Sequence, residues 1–177
     1  ADRRLLTQVD ARLAAASEDP TATAAHQTRL AESLEAQNDP SALAAYRAAL
    51  ALDPESLGAT RGLSRIAERT GDPVALAEAA RREAAVSRNG EVAARLLVRS
   101  ARVRLERLAD AAGALEDLER ALELHPDNVE AVERMVAALT KANDPTRLVD
   151  QLSRAATSAQ MPERQAALWM EVARIYS

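Results

Sequence analysis

Five of the seven prolines in this 177-residue chain directly follow an aspartate, at Asp19-Pro20, Asp39-Pro40, Asp53-Pro54, Asp72-Pro73 and Asp144-Pro145. An aspartate carboxylate accepts hydrogen bonds from the free amides of a first helical turn, and proline suits the first helical position, where no amide donor is needed. Each Asp-Pro pair therefore predicts a helix start. Between them run segments of 12 to 18 residues with apolar groups three and four apart, as at Leu115, Leu118, Ala121 and Leu122. The pattern predicts about ten helices, approximately 2–16, 20–37, 40–52, 54–69, 73–87, 91–108, 111–124, 127–142, 145–158 and 162–176. Connections of two to four residues force successive helices to lie antiparallel, as helical hairpins do.

The turns also recur at a nearly fixed distance. Pro54, Gly90, Pro126 and Pro162 are each 36 residues apart, and the alternate turns at Asp39, Asp72, Asp110 and Asp144 recur at 33, 38 and 34. A period of this length with two helices per unit predicts an all-α superhelix, a solenoid of about five hairpins. Composition agrees. Phe is absent, aromatics make up 2% and about a quarter of the residues are alanine, so the core is expected to form by close approach of helices through small side chains. Strand formers are too sparse for a sheet protein.

The side chains choose among helical repeats. Ala42, Tyr46, Ala49 and Pro54 recur 72 residues later, at the same spacing, as Ala114, Leu118, Ala121 and Pro126. Near the end, Trp169, Val172, Ala173 and Tyr176 match a Trp-x2-Leu-(Gly/Ala)-x2-Tyr first-helix pattern. The chain resembles the tetratricopeptide repeat family. That resemblance implies a single array over 1–177, with a half repeat at 1–17, units at 20–53, 54–89, 90–125 and 126–160, and a half repeat at 161–177. In it, small residues let helix axes approach, and Tyr46, Leu118, Trp169 and Tyr176 fill the gaps between neighbouring hairpins. The unit over 55–89 departs from the pattern, with Arg82 where a small residue is expected, and the helix over 91–108 is about one residue longer than the family's first helix. Because both ends cut the repeat, a fragment of a longer bacterial protein, or a homodimer joined through uncapped ends, is expected.

Catalysis has little support in the residues. His26 and His125 are the only histidines, expected about three repeats apart, and no metal-ligand spacing, phosphate-binding glycine cluster or nucleophile-elbow serine occurs. His125, before Pro126, reads as a helix end near free carbonyls, and Glu116, Asp117, Glu119, Glu123 and Asp127 around it as a solvated surface, with Glu116 and Arg120 forming an i, i+4 pair. No cofactor or metal is expected. Cysteine is absent, and no apolar run approaches a bilayer span. The net charge of -4, with both signs dispersed and aromatics scarce, argues against nucleic acid as partner. The compartment stays open between cytoplasm and cell envelope.

If the family's geometry holds, the first helix of each unit lines a concave groove that takes a protein or peptide segment. The residues assigned to it are Thr28, Arg29 and Glu32; Thr60, Arg61 and Ser64; Arg95, Val98, Arg99 and Arg102; Glu130, Glu133, Ala137 and Thr140; and Met170 and Arg174. Arg95, Arg99 and Arg102 share one helical face suited to an acidic side chain or a carboxylate. Against this, Lys141 is the single lysine beside 22 arginines, a mark of GC-rich coding that places arginine on any helix surface, and Glu91 and Glu106 stand ready to neutralise these three. The expected role is a noncatalytic interaction scaffold. The alternatives are a structural spacer or dimerisation region, or a regulatory region of a larger bacterial enzyme or signalling protein.

Overall fold

A computed structural model of the chain describes residues 3–16 and 19–176, and among the described residues it is all-helical, with no strand. Ten helices follow one another: α1 (Arg3–Ala16), α2 (Pro20–Glu35), α3 (Ser41–Leu52), α4 (Leu57–Thr70), α5 (Pro73–Val86), α6 (Gly90–Val103), α7 (Ala111–Leu124), α8 (Val129–Lys141), α9 (Pro145–Ser158) and α10 (Pro162–Ile175). Residue 2, the expected start of α1, lies outside the described residues. The chain divides into two compact units, Ala1–Val86 and Ser87–Ser177.

Helix starts follow the capping chemistry at several aspartates. Asp19, Asp110 and Asp144 accept from Thr21, Gly113 and Arg147 amides, and Asp72 accepts from Val74. Two starts differ from expectation by more than one residue. After Asp53 the chain first makes a turn, with the Ser56 amide donating to Asp53 O, and Ser56, three residues on, caps α4 through the Ala59 amide. Likewise α8 begins at Val129, capped by Asn128, while Asp127 accepts from the Gln160 amide.

The turns α2–α3, α4–α5, α6–α7 and α8–α9 share one device. Each places a residue with positive φ directly before the aspartate: Asn38 (55°), Gly71 (66°), Ala109 (52°) and Asn143 (53°). A left-handed residue reverses the chain sharply, and glycine or asparagine adopts it at low cost; Ala109 does not. Ala109 follows a single π-helical turn, Arg104–Leu108, which continues α6. A π turn takes up one residue more than an α turn, so it absorbs the extra length of the helix expected over 91–108.

In the first unit α1 packs on α2, α2 on α3, α3 on α4 and α4 on α5, and α2 also touches α4. Its core joins Ala31, Ala42, Tyr46, Ala49, Leu50, Ala59, Leu63 and Ala67, all fully covered. Gly62 faces the ring of Tyr46 so closely that a methyl group there would overlap it. In the second unit α6 packs on α7, α7 on α8, α8 on α9 and α9 on α10, and α6 touches α8. The repeated trio Ala114, Leu118 and Ala121 is fully buried there, as Ala42, Tyr46 and Ala49 are in the first unit. The terminal match behaves otherwise: Trp169 is 45% exposed, Tyr176 76%, and Ala173 is exposed, because α10 turns Leu168 and Val172 toward α9 and leaves the other face open.

Candidate functional site

The second unit holds a cavity of about 290 Å³ where α8, α9 and α10 meet. Its floor is aliphatic, from Val136 and Leu139 of α8, Leu148 and Leu152 of α9, and Ile175 of α10. Its rim is polar, from Thr140, Asn143, Asp144, Glu171 and Arg174. Each helix supplies side chains three or four residues apart, the spacing that holds them on one face. The α8–α9 turn shapes one end. Left-handed Asn143 lets the Asp144 amide reach Leu139 O at 3.1 Å, and the Asp144 carboxylate caps α9 through the Arg147 amide at 3.0 Å. On the opposite wall Arg174 pairs with Glu171 at 2.7 Å. A concave, mostly apolar space with a few polar groups at its mouth suits an apolar side chain or a small apolar ligand.

The groove residues expected from sequence fall into different environments. Thr140 and Arg174 border this cavity. Ala137 and Met170 are exposed on α8 and α10, as are Glu133 and Glu130, the latter paired with Arg134. On α6, Arg95 and Arg102 are exposed and Arg99 is half-buried. Glu106 pairs with Arg134 on α8 at 3.4 Å. Val98, 2% exposed, is packed between Ala94 and Ala101 on the inner face of α6 and presents nothing to a partner. In the first unit Thr60, 1% exposed, is likewise enclosed, Ser64 donates to Thr60 O and to Glu83, and Thr28 donates to Ala24 O. Arg29 pairs with Asp10 and contacts His26 Nδ1, whereas Glu32 and Arg61 are exposed.

Two polar clusters, the first partly exposed and the second buried, were not anticipated. In the first unit the Tyr46 hydroxyl donates to Glu35 Oε2 at 2.7 Å, and the Arg65 guanidinium grips the same carboxylate at 2.8 and 3.2 Å. The Arg65 bond holds the Glu35 carboxyl below its usual range, against a smaller opposing effect of burial. Burial first, then the bond to Glu35, pushes the Tyr46 hydroxyl well above the ordinary phenol range, so it remains a protonated donor. In the second unit Asp117, only 1% exposed, accepts from Ser100 Oγ at 2.6 Å and lies 3.1 Å from Arg104 Nε. Arg104 also pairs with Asp110, and Gly113 leaves the space its guanidinium occupies. Asp117 is thus the exception to the expectation that these carboxylates mostly face solvent. Nor do Glu116 and Arg120 pair as expected; Arg120 pairs with Glu123, and Glu119 accepts from Arg147 and Gln151 of α9.

His26 belongs to the first unit and His125 to the second, where His125 ends α7 by donating its amide to Ala121 O. Among the described residues no three His, Asp or Glu side chains gather as metal ligands, and no helix is long and apolar enough to cross a membrane. No protein-family model matches the chain, and no curated protein matches it significantly.

Proposed function

We propose that this chain is a noncatalytic protein-interaction scaffold, a tetratricopeptide-like superhelical stack of hairpins whose first helices present the partner-binding face. The cavity between α8, α9 and α10 carries the reading. It lies between two successive first helices of that scheme, has an aliphatic floor, and is bordered by Thr140 and Arg174, both assigned to the groove from sequence. Helix-lined apolar recesses with polar rims take anchor side chains of peptide segments, the rim fixing orientation. The polar clusters elsewhere are engaged in holding helices together and offer no free acid or base. In this reading the protein works without a cofactor, and partner specificity lies in the rim.

The reading is tested by selecting peptides from a displayed random library on the intact protein, then titrating a selected peptide into isotopically labelled protein. The expected result is enrichment of an aliphatic anchor, with amide shifts concentrated on 136–148 and 171–175. Absence of enrichment, or shifts centred elsewhere, would overturn it.

A further inference from the structure

Helix α1 carries an unpartnered apolar stripe. Leu5, Val9 and Leu13, four residues apart, are all exposed, while Thr7 and Asp10 lie half-buried and Asp10 pairs with Arg29 of α2. Leucines and valines lined up in this way on an exposed helix form the face that enters an apolar groove. The cavity of the second unit offers such a groove, floored by Val136, Leu139, Leu148 and Ile175.

The charges match as well. Glu171 and Asp144 stand on the rim with Arg174, the one cation among the lining residues and the partner of Glu171, so the rim carries a single net negative charge. Arg12 stands exposed on α1, one residue from Leu13 and three from Val9, bordering the stripe, while Asp10, the nearest acid, is held by Arg29. A basic aliphatic helix face meets an acidic-rimmed aliphatic groove.

We infer that the occupant of the cavity is helix α1 of a second copy of this chain, with Val9 of its Leu5-Val9-Leu13 stripe entering the aliphatic floor, Leu5 and Leu13 flanking the mouth, and Arg12 directed to Glu171. The inference rests on the cavity being a docking site, as proposed above, and names its occupant. Stripe and groove are different surfaces, so the contact is head-to-tail. Each copy keeps a free groove or a free stripe, and association either closes into a ring or grows with concentration.

Sedimentation velocity of the whole protein from about 5 to 500 μM tests this, with circular dichroism confirming that each variant is folded. The wild type is expected to show concentration-dependent species larger than a monomer. Val9→Glu is an exposed substitution that leaves the core untouched, and it should abolish them. Glu171→Arg and Arg12→Glu should each weaken association roughly five- to tenfold, since reversing a rim charge turns attraction into repulsion. Mixing the two reversed variants should restore hetero-association. A wild type that stays monomeric at 500 μM, or larger species that Val9→Glu leaves unchanged, would overturn the self-docking. If selected peptides still bind the cavity in that case, the docking site stands and only its occupant changes; if neither binds, both readings fall.

Discussion

Replacing Asp117 by leucine probes the part of the second unit where one side chain holds most. The carboxylate is buried between α6 and α7, accepts from Ser100 at 2.6 Å and stands 3.1 Å from Arg104 Nε. Leucine removes the acceptor of the Ser100 hydroxyl and the anion beside Arg104, whose Nε is in ion-pair range of Asp117 but makes no hydrogen bond. A buried hydroxyl without a partner costs about 1–3 kcal/mol, and loss of one member of a buried ion pair costs about 3–5 kcal/mol. Two facts temper the second figure. Arg104 keeps Asp110, and its side chain is 17% exposed, so water reaches it. The added apolar burial of leucine offsets a further part, and the expected net loss is about 2–4 kcal/mol.

Urea unfolding reads this loss. Trp169, the only tryptophan, sits on α10, so its fluorescence reports the second unit even if the two units unfold separately. With a slope of about 1–1.5 kcal/mol per M for a unit of this size, the midpoint should fall by roughly 2 M. Glu116→Ala, one residue away on the exposed face, should shift stability by less than about 0.5 kcal/mol. Adding Ser100→Ala to Asp117→Leu removes one stranded donor, so the double variant should be about 1 kcal/mol less destabilised than the sum of the singles. A midpoint shift under about 0.5 M, or strict additivity with Ser100→Ala, would refute the idea that this carboxylate joins the two helices.

Other substitutions separate packing from backbone effects. Gly62→Ala should cost about 1–3 kcal/mol despite its better helix propensity, because the new methyl meets the enclosed Tyr46 ring, while Gly58→Ala, whose nearest neighbour is the Thr28 methyl at 3.4 Å, should stabilise by up to about 1 kcal/mol; thermal melts showing the same sign for both would contradict the packing. Ala109→Gly should stabilise by about 0.5–1 kcal/mol in the same urea assay, since glycine relieves a left-handed alanine. Glu35 has a depressed carboxyl pKa, so the stability it contributes is complete above the ordinary value near 4.5 and is lost as pH falls through the lower folded-state value. Glu35→Gln should therefore flatten the acid limb of the first unit's stability profile, measured by hydrogen exchange of α2–α4 amides at several pH values, and an unchanged limb would reject the pairing.

The helices were legible because their starts and faces are local matters. An aspartate before proline or another helix former caps, and small and large apolar residues three and four apart mark the buried face, so Ala42-Tyr46-Ala49 and Ala114-Leu118-Ala121 could be placed from spacing alone. Spacing failed where one residue type serves two ends. Asp53-Pro54 has the same letters as Asp72-Pro73, yet a turn closed by the Ser56 amide on Asp53 O intervenes before α4, and the cap passes to Ser56. The distinguishing signal was the residue before the aspartate. Asparagine, glycine or alanine with positive φ precedes Asp39, Asp72, Asp110 and Asp144, and leucine precedes Asp53.

Polar residues on buried faces were the harder problem, and Asp117 shows why. It lies three residues after Ala114 and four before Ala121, within the buried stripe, so periodicity alone places it inside; its charge argued for solvent and prevailed. The counterpart was visible too, since Ser100 and Arg104 are four apart on the facing helix, but pairing them required knowing which turn of α6 meets which turn of α7. The inserted residue taken up by the π turn at Arg104–Leu108 shifts that register. The same dependence on register applies to the residues expected to line a groove. Thr140 and Arg174 could be chosen singly as outward-facing, whereas Thr60 and Val98, expected on an open face, lie buried. A cavity between three helices is a property of how their faces meet, and its floor of leucine, isoleucine and valine reads in sequence as ordinary core.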